Sequence, residues 1–309
     1  MKWFSLIAFI TFCFSIQLES KKAITFIVNP ISGSKNYSNI HKIIEDNLDH
    51  DQFTYSVVFT NGPNHATLLS SQAAAAGSNI IVAVGGDGSV NEVAQGLIGT
   101  NSKLAVIPTG SGNGFARHFN IPLDISQSIK VINSQSNQWI DTVKINNKSY
   151  LGVAGIGFDA DVSIAFSHLD TRGPASYLFV ILSELRKYKP KDYELIIDGN
   201  IVKEKAFLIC FANSKQYGNN AFIAPKAKID DGFLDVIVWK EFPPFAAPKL
   251  IHDLFTKNLD NSKYTKTYRC QEVIIKKPVN ALHIDGEPLE THDDVFIRIM
   301  PSSVKIISP

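Results

Sequence analysis

The sequence predicts a doubly wound α/β domain followed by a β-sandwich domain, and two observations carry this prediction. Through about residue 135, short apolar segments rich in β-branched residues alternate with segments whose apolar residues recur at helical spacing. This alternation is typical of a parallel sheet covered by helices on both faces. Beyond it, strand-like segments predominate, and some are joined by hairpin turns such as Asp198–Gly199–Asn200. We therefore expect an apolar N-terminal segment at 1–21, the α/β domain at 22–135 and the sandwich at 136–309.

The α/β domain begins with two strand–helix pairs. Each strand is a short apolar segment, and each helix has apolar residues three and four positions apart or a high alanine content. We expect strands at 24–28 and 55–59 and helices at 40–48 and 66–76. Asn29, Ser32 and Gly33 follow the first strand, and Thr60 follows the second. Such residues form turns that can reach a bound ligand or serve only as ordinary caps.

A glycine-rich turn joins the third strand to the third helix. The apolar strand Ile80–Val84 is followed by Gly85, Gly86 and Gly88, with Asp87 among them. Glycine lets an anion approach the main chain closely, and a helix N-terminus supplies free N–H groups, so phosphate is the natural occupant. A tight connection without a ligand is the alternative, since the turn matches neither the P-loop pattern nor a dinucleotide-binding fingerprint.

A second glycine-rich turn follows the fourth strand. The strand at 104–107 leads into Pro108–Arg117, whose sequence is PTGSGNGFAR. In a parallel sheet both turns lie at the carboxyl ends of their strands, where α/β folds bind ligands. The hydroxyl groups of Thr109 and Ser111 and a series of backbone N–H groups can form an anion-binding concavity there. Two such turns favour phosphate binding over a simple connection. Asp124 is predicted to cap one further helix.

The second domain is predicted mainly as strands with helical insertions. Strands are expected at 140–145, 150–154, 193–197, 206–212, 233–239, 273–275, 281–284 and 295–300. Insertions are expected at 159–168 with 177–188, and at 246–257.

Composition and charge narrow the function. A formal net charge of +1 over 309 residues, without a strongly basic tract, argues against a nucleic-acid partner. Cys13, Cys210 and Cys270 are scattered and odd in number, so they indicate neither a disulfide framework nor a zinc site. The eight histidines show no metal-binding spacing, although His283 and His292 flank a turn near the C-terminus.

The N-terminal segment allows three interpretations. Trp3–Ile16 is largely apolar and is similar to a signal-peptide core, but it is short for a transmembrane helix and no cleavage site is clearly marked. An uncleaved membrane-seeking segment, a misassigned start codon and a true signal stay open.

The two glycine turns also carry a family resemblance. GGDGSVNEVAQGL and PTGSGNGFAR resemble the diacylglycerol kinase catalytic domain, whose family also includes sphingosine and ceramide kinases and small bacterial lipid kinases. Asn29–Gly33 and Ile284–Glu287 fit two further motifs in the family's order, and together the four cover the chain from about Ala23 onward. GGDG alone is not specific, because NAD kinases and phosphofructokinases have similar turns. The resemblance implies a nucleotide-binding α/β domain, a β-sandwich domain and an active site in the cleft between them.

The resemblance implies which residues contact ATP. These are Asn29, Ser32, Gly33, Thr60, Gly85, Gly86, Asp87, Gly88, Asn91, Ser111 and Asn113. Two positions depart from the family pattern: Gly114 replaces a frequent aspartate, and Ser89 replaces the commoner threonine. We expect neither change to abolish nucleotide binding.

Two carboxylates are the candidates for the chemistry. Asp87 lies within the expected phosphate site, so it is predicted to contact Mg²⁺; alternatively, it only shapes a turn by accepting backbone N–H bonds. Glu287 matches the family's proposed catalytic glutamate and is predicted to be the general base. Without the resemblance, Asp285–Gly286–Glu287 would indicate only a hairpin.

Two further sets of residues are implied in the second domain. The resemblance implies a second, structural Mg²⁺ bound by Asp231 and by the main-chain oxygens of Lys228 and Phe233; a solvated turn is the alternative. Aromatic residues of this domain could form the lipid pocket or belong to the core: Phe158, Phe166, Tyr177 and Phe222.

Taken together, the resemblance implies an ATP-dependent lipid kinase that uses Mg²⁺ and phosphorylates a hydroxyl group of a membrane lipid such as diacylglycerol, within phospholipid metabolism. We expect it in the cytoplasm, in peripheral contact with the inner face of the membrane, without a nucleic-acid partner; a homodimer stays open. The alternatives are a soluble kinase of the NAD-kinase kind and a non-catalytic lipid- or nucleotide-binding protein on the same fold.

Overall fold

The structure is a computed structural model that describes residues 21–33, 39–167, 180, 183–185, 188–276, 282–291 and 293–309. The apolar segment Trp3–Ile16, most of the helix expected at 177–188, and His292 lie outside the described residues. Within the described part of the chain, no helix is long and apolar enough to cross a membrane.

The first lobe is the predicted α/β unit. Its elements are β1 Lys22–Val28, α1 Ile40–Asn47, β2 Phe53–Phe59, α2 His65–Ala75, β3 Ile80–Gly85, α3 Asp87–Leu97, β4 Lys103–Pro108, α4 Gly114–His118 and α5 Ile125–Ser134. The strands are parallel in the order β4–β3–β1–β2. Asp124 accepts the N–H of Gln127 at 3.0 Å, so the predicted cap of α5 is confirmed.

Two apolar cores cover the two faces of this sheet. One contains Val93 and Leu97 of α3, and the other contains Ile44 of α1 and Ile129 of α5. Strand β3 contributes to both, because its successive side chains point to opposite faces and all six of its residues are buried. This double burial explains why the strand is a continuous apolar segment in the sequence.

The second lobe consists mainly of strands. Its elements are β5 Asn137–Ile145, β6 Lys148–Tyr150, β7 Val153–Gly157, α6 Phe158–Ser167, β8 Lys191–Ile197, β9 Asn200–Ala212, β10 Leu234–Lys240, α7 Ala247–Phe255, β11 Thr265–Cys270, β12 Glu272–Lys276, β13 Leu282–Ile284, β14 Glu287–Leu289 and β15 Val295–Ile307. Alternate residues of these strands enclose one apolar core, and α6 and α7 cover a second. The predicted fold class of this lobe, a β-sandwich, is confirmed.

Three details of the second lobe differ from the sequence prediction. The strand expected at 150–154 is divided into β6 and β7, because at Gly152 the backbone passes so close to Asp285 that a Cβ would lie 2.4 Å from its Oδ1. Strand β11 was not predicted, since its residues are mostly exposed or half-buried and include Lys266 and Arg269. Strand β14 was also missed, because it has three residues and contains Pro288.

Strand β15 joins the two lobes into one 15-stranded sheet. Its first half pairs with β12 and β5, and its last residues pair with the beginning of β5 and, in parallel, with β4. Ile140, Val304 and Ile306 consequently pack in a core of the first lobe. The division expected at 135/136 stays a prediction, but the end of the chain completes the first lobe's sheet.

Candidate active site

The two glycine turns contact each other at the carboxyl ends of β3 and β4. A Cβ added to Gly110 would lie 2.5 Å from the Cα of Gly86, and one added to Gly86 would lie 3.2 Å from the Cα of Gly110. Real Cβ atoms do not approach backbone as closely as 2.5 Å, so this contact requires glycine at position 110. The turns predicted to bind phosphate therefore form one continuous surface of exposed main chain.

The turn after β1 joins the same surface. The hydroxyl groups of Ser32 and Thr109 are 2.7 Å apart, and Asn29 donates through Nδ2 to Oγ of Ser89 at 3.0 Å. Gly33 has φ +65°, and a Cβ there would lie 2.1 Å from the carbonyl oxygen of Thr109. Thr60 follows β2, the outermost strand on that side, and donates its N–H to the carbonyl of Val28. The structure thus brings together the predicted residues of all four parallel strands.

Asp87 connects the two glycine turns. Its carboxylate accepts the N–H groups of Gly114 and Phe115, the first two residues of α4, each at 3.0 Å. Burial raises the pKa of Asp87, and the hydrogen bonds from these backbone N–H groups lower it. This geometry supports the turn-shaping interpretation of Asp87; its contact with Mg²⁺ stays a prediction.

Two of the three predicted asparagines, Asn91 and Asn113, are held by protein partners. Asn113 has φ +49°; it accepts the N–H of Gly110 at 2.9 Å and donates to the carbonyl of Gly110 at 2.7 Å, which fixes the second turn. Asn91 donates to the carbonyl of Ser149 in the second lobe at 3.4 Å, and its buried Oδ1 lacks a partner. Their contacts with a nucleotide, like those of Ser111 and Gly88, stay predictions.

Glu287 lies across the cleft against the first glycine turn. It belongs to a hairpin in which Asp285 has φ +49° and Gly286 has φ +85°, as in a type I′ turn, and Ile284 pairs with Glu287. The side chain is exposed, and its Oε1 lies 3.0 Å from the position that a Cβ on Gly88 would occupy. The second lobe therefore presents a carboxylate directly at the turn expected to hold phosphate.

Asp285 supports this hairpin from inside. Its Oδ1 accepts the N–H of Val153 at 2.8 Å. Burial raises the pKa of Asp285 to about 7, and the nearby carboxylate of Asp87 acts in the same direction, against hydrogen bonds from Val153 and Leu151. The group therefore titrates near neutral pH, unlike an ordinary aspartate.

A cavity of about 110 Å³ lies between the lobes beside these carboxylates. It is lined by Asp87, Val90, Gly114, Phe115, Leu151, Gly152, Val153, Asp159, Ser163, Ser214, Gln216, Tyr217, His283, Asp285 and Gly286. Its polar floor is formed by Asp159, which is 2.9 Å from the hydroxyl of Tyr217 and 3.0 Å from Nε2 of His283. Sequence analysis did not identify Asp159 or Tyr217 as site residues. The one sequence signal for this site is the position of Asp159, an aspartate shortly after the buried strand β7.

The loop predicted to bind a structural Mg²⁺ is held by protein groups. Arg269 donates to Oδ2 of Asp231 at 2.6 Å, and the N–H of Phe233 donates to Oδ1 at 3.1 Å. The buried Asp141 accepts the N–H of Gly232 at 2.7 Å. In the described residues no group of three or more His, Cys, Asp or Glu residues is arranged to hold a metal ion. Asp231 is paired with a guanidinium, and its role as a magnesium ligand stays a prediction.

The aromatic residues expected at a lipid pocket have different surroundings. Phe158 is buried in the second lobe and stacks on Phe207 with the ring centroids 4.5 Å apart. Phe222 is half-buried beneath Lys257, whose Nζ is 4.6 Å from the ring centroid. The side chain of Phe166 and all of Tyr177 lie outside the described residues. Phe158 thus belongs to the core, and the pocket role of the others stays a prediction.

Comparisons with known proteins agree with this architecture. Residues 23–145 match the family model of the diacylglycerol kinase catalytic domain, and residues 152–308 match that of the YegS C-terminal NAD kinase beta sandwich-like domain. The chain belongs to the diacylglycerol kinase family. The first match covers both glycine turns, and the second covers the hairpin that carries Glu287.

Members of this family with similar sequences include named kinases. A diacylglycerol kinase of Mycobacterium tuberculosis is 26% identical over 301 residues, covering 93% of this chain and 95% of the relative. A diacylglycerol kinase of Staphylococcus aureus is 29% identical over 222 residues, covering 71% and 70%. A crystal structure from Bacillus anthracis str. Sterne superposes with a TM-score of 0.76 at 23% identity, covering 94% of this chain and 95% of the other, and supports the fold. The chain is therefore a member of a lipid kinase family.

Proposed function

We propose that the protein is an ATP-dependent lipid kinase that transfers the γ-phosphate of ATP to a hydroxyl group of a membrane lipid such as diacylglycerol. The observation that carries this proposal is the position of Glu287. Its carboxylate comes from the second lobe and lies 3.0 Å from the Cβ position of Gly88 in the first glycine turn. Phosphoryl transfer needs a phosphate site and a group that receives the acceptor's proton, and these two features meet here.

In the proposed reaction Glu287 takes the proton of the acceptor hydroxyl while the hydroxyl oxygen attacks the γ-phosphorus. The bond between the γ-phosphorus and the bridging oxygen breaks, and ADP leaves with the electron pair. The backbone N–H groups of the glycine turns hold the phosphates in line with the acceptor. Because Glu287 is exposed in the structure, the bound lipid would also have to exclude water from its carboxylate.

Magnesium enters this proposal as part of the MgATP substrate. Asp87 borders the expected phosphate site, and each of its oxygens has a lone pair beyond the one that accepts a backbone N–H. It can therefore accept a hydrogen bond from a water molecule of the ion, which Mg²⁺ characteristically retains. We derive no step from a second ion at Lys228, Asp231 and Phe233, because Asp231 is paired with Arg269.

We propose that helix α7 contacts an anionic membrane surface. Phe245, just before the helix, is 83% exposed, and Ile251 and Phe255, one helical turn apart, are each 51% exposed. The opposite side of the helix buries Leu250. An amphipathic helix normally exposes its polar side, so this apolar strip is suited to the headgroup–acyl boundary of a bilayer.

The charges beside this strip are mainly positive. Lys257 and Lys263 are exposed and lie over aromatic rings, at 4.6 Å and 5.1 Å from the centroids. Lys249 is neutralised by the buried Asp253 at 2.6 Å. Cations beside an apolar strip complement anionic phospholipids. The proposed location is accordingly the cytoplasmic face of the membrane, where ATP and the lipid meet and the product can enter phospholipid metabolism.

A soluble kinase of the NAD-kinase kind is the second candidate, because the second-lobe family model is described as NAD kinase-like. The experiment is a transfer assay with γ-labelled ATP, presented in parallel with diacylglycerol in anionic vesicles and with NAD. We expect label in the lipid fraction, dependent on Mg²⁺. Labelled NAD with unlabelled lipid would overturn the lipid proposal, and ATP binding without any transfer would favour the non-catalytic alternative.

The same assay tests the role of Glu287. We expect Glu287→Gln to lower kcat about 10²- to 10⁴-fold, the usual effect of removing a general base, with little change in the Kd for ATP. Glu290→Gln is a matched control, since Glu290 is also exposed and lies just beyond the same hairpin. Equal activity of Glu287→Gln and the wild type would show that Glu287 is not the base.

A further inference from the structure

A buried pair of side chains lies directly behind the hairpin that carries Glu287. His283 of β13 is 2% exposed, and its Nε2 lies 3.0 Å from Oδ2 of Asp159 in α6. The hydroxyl of Tyr217 donates to the same Oδ2 at 2.9 Å. Neither Asp159 nor His283 has a part in the proposed transfer of the phosphoryl group, although both line the cavity between the lobes.

The hydrogen-bond partners determine which nitrogen of His283 carries the proton. Gly286 donates its N–H to Nδ1 of His283 at 3.3 Å, so Nδ1 must be an unprotonated acceptor. The ring proton is then on Nε2, where the carboxylate of Asp159 accepts it. Asp159 therefore holds His283 in the one neutral tautomer that can accept the N–H of the hairpin turn.

On the side that faces β7, the fold leaves no room for a side chain beside this pair. Residue 155 of β7 faces His283 across the β7–β13 ladder, and it is a glycine. A Cβ there would lie 2.1 Å from Oδ2 of Asp159 and 2.7 Å from Nε2 of His283. Because residue 155 has no side chain, the two polar groups fit into an otherwise apolar strand region. Their contact is therefore a specific feature of the packing.

The ring of His283 contacts Gly286, which immediately precedes Glu287 in the chain. Glu287 begins β14, a three-residue strand that, among the described residues, pairs in the sheet with β13 alone and also packs against α6. The His283 ring accepts an N–H from the centre of that turn and is itself anchored on α6 through Asp159.

We propose that His283, whose tautomer Asp159 fixes, is a positioning residue that holds the Gly286 turn so that the Glu287 carboxylate points at the first glycine turn. The inference rests on the proposed function, because it assigns these residues a role in the same reaction. Misplacing a reacting group by about 1 Å can cost 10²-fold in rate, so a loose turn should lower turnover without weakening the binding of ATP.

Two substitutions of His283 separate its two hydrogen bonds. In His283→Asn the amide oxygen lies near the former Nδ1 and can still accept the Gly286 N–H. In His283→Gln the amide reaches the former Nε2 position and retains only the contact with Asp159. We expect His283→Gln to lower kcat roughly 10- to 100-fold with an unchanged Kd for ATP, and His283→Asn to stay within about threefold of the wild type.

A double substitution tests whether His283 acts through Glu287. In the Glu287→Gln background, adding His283→Gln should change the residual rate less than about twofold, because residues that act as a unit are non-additive. Hydrogen exchange should also show faster exchange of the Gly286 amide in His283→Gln than in His283→Asn. Ile275→Val controls for a general loss of stability, because Ile275 packs in the core that contains Leu282 and Ile284 but lies four strands from β13.

The outcomes distinguish the inference from the proposed function. If Glu287→Gln is inactive and His283→Gln has wild-type kcat, the positioning role is wrong while the kinase proposal stands. Equal fold losses from His283→Gln in both backgrounds, or equal losses in His283→Asn and His283→Gln, would also overturn the positioning role. If the wild type transfers phosphate to no acceptor, the proposed function fails, and the exchange rate of the Gly286 amide still reports on the turn.

Discussion

At the scale of single residues, the cleft contains two half-buried aspartates that are hydrogen-bonded to different lobes. Asp87 accepts backbone N–H groups from the first lobe, and Asp285 accepts the N–H of Val153 in the second. Burial raises the pKa of both carboxyl groups. The negative charge of Asp87 raises the pKa of Asp285 further. The cleft therefore opposes the ionised form of Asp285 in the absence of a cation.

The raised pKa of Asp285 predicts a dependence of stability on pH. An unfolded aspartate titrates near 3.8, and Asp285 titrates at about 7 in the folded protein, so between these values the folded state binds the extra proton. Its contribution to stability is complete below pH 3.8 and is lost as the pH rises to about 7. Asp285→Asn keeps the acceptor for Val153 but does not titrate.

The measurement is the melting temperature of the wild type and of Asp285→Asn from pH 4 to pH 8. We expect the wild type to lose stability relative to Asp285→Asn as the pH increases across this range. A difference between the two proteins that is constant with pH would show that Asp285 titrates normally.

The contact between the glycine turns predicts a second outcome. In Gly110→Ala the new methyl group would meet the Cα of Gly86, so the two turns must separate. We expect a loss of about 1–3 kcal/mol in the free energy of unfolding, as in other overpacked sites, together with weaker ATP binding. Gly62→Ala is the control, because a Cβ there has no neighbour within 4 Å. Denaturant unfolding and ATP titration measure both; wild-type ATP affinity in Gly110→Ala would contradict a phosphate site at this contact.

The residue scale also shows where sequence analysis ends. The glycine turns could be predicted because strand, turn and helix are adjacent in the chain, and the carboxyl ends of parallel strands lie at one edge. Asp159 and His283 are 124 residues apart in the chain, so no local sequence pattern predicts their contact. The pairing of Asp231 with Arg269 could not be predicted either, because Arg269 is on a strand that the sequence did not predict.

At the scale of elements, helix α7 has apolar residues on two sides. The inner side packs Leu250 into a core, whereas Phe245, Ile251 and Phe255 form the exposed strip. The C-terminal part of the helix contacts the loop that carries Tyr217, since Phe222 donates its N–H to the carbonyl of Leu254. A membrane bound at this strip would therefore lie against an element that is continuous with the wall of the cavity.

This arrangement predicts the behaviour of the protein with vesicles. Replacing both Ile251 and Phe255 by glutamate should reduce binding to anionic vesicles about tenfold or more, because two apolar side chains leave the interface and negative charge is added. Leu68→Glu is the matched control, since Leu68 is 53% exposed on α2 of the other lobe. Vesicle sedimentation measures the effect; equal losses in both variants would place the membrane contact elsewhere.

Elements differ in how far the sequence determines them. The helix capped by Asp124 and the helical insertion at 246–257 are found close to their predicted positions, because a cap or an amphipathic pattern is local. The interruption between β6 and β7 depends on Asp285, which approaches Gly152 from more than a hundred residues away. Edge strands such as β14 have too few buried residues for an alternating pattern.

At the scale of the whole molecule, the first lobe is incomplete without the last strand. Residues at 304–307 of β15 pair with the beginning of β5 and with β4, and Val304 and Ile306 are buried in the first lobe. We therefore expect a fragment limited to residues 22–135 to lack a cooperative unfolding transition, although the full chain has one. Circular dichroism during thermal unfolding measures this. A fragment that melts cooperatively and binds ATP would show that the lobe is independent.

Strand β15 also limits how the cleft can change its width. Its regular pairing with β5 is interrupted between Met300 and Val304, where Ser302 has φ +47° and donates its N–H to Asp141. Both halves of the strand are hydrogen-bonded, one in each lobe, so a rotation of the lobes that preserves these bonds must bend the chain at this interruption. The buried Asp141 also accepts the N–H of Gly232, so its carboxylate joins this interruption to the loop that carries Asp231. A change in the width of the cleft would therefore act on a carboxylate that lies outside the lining of the cavity.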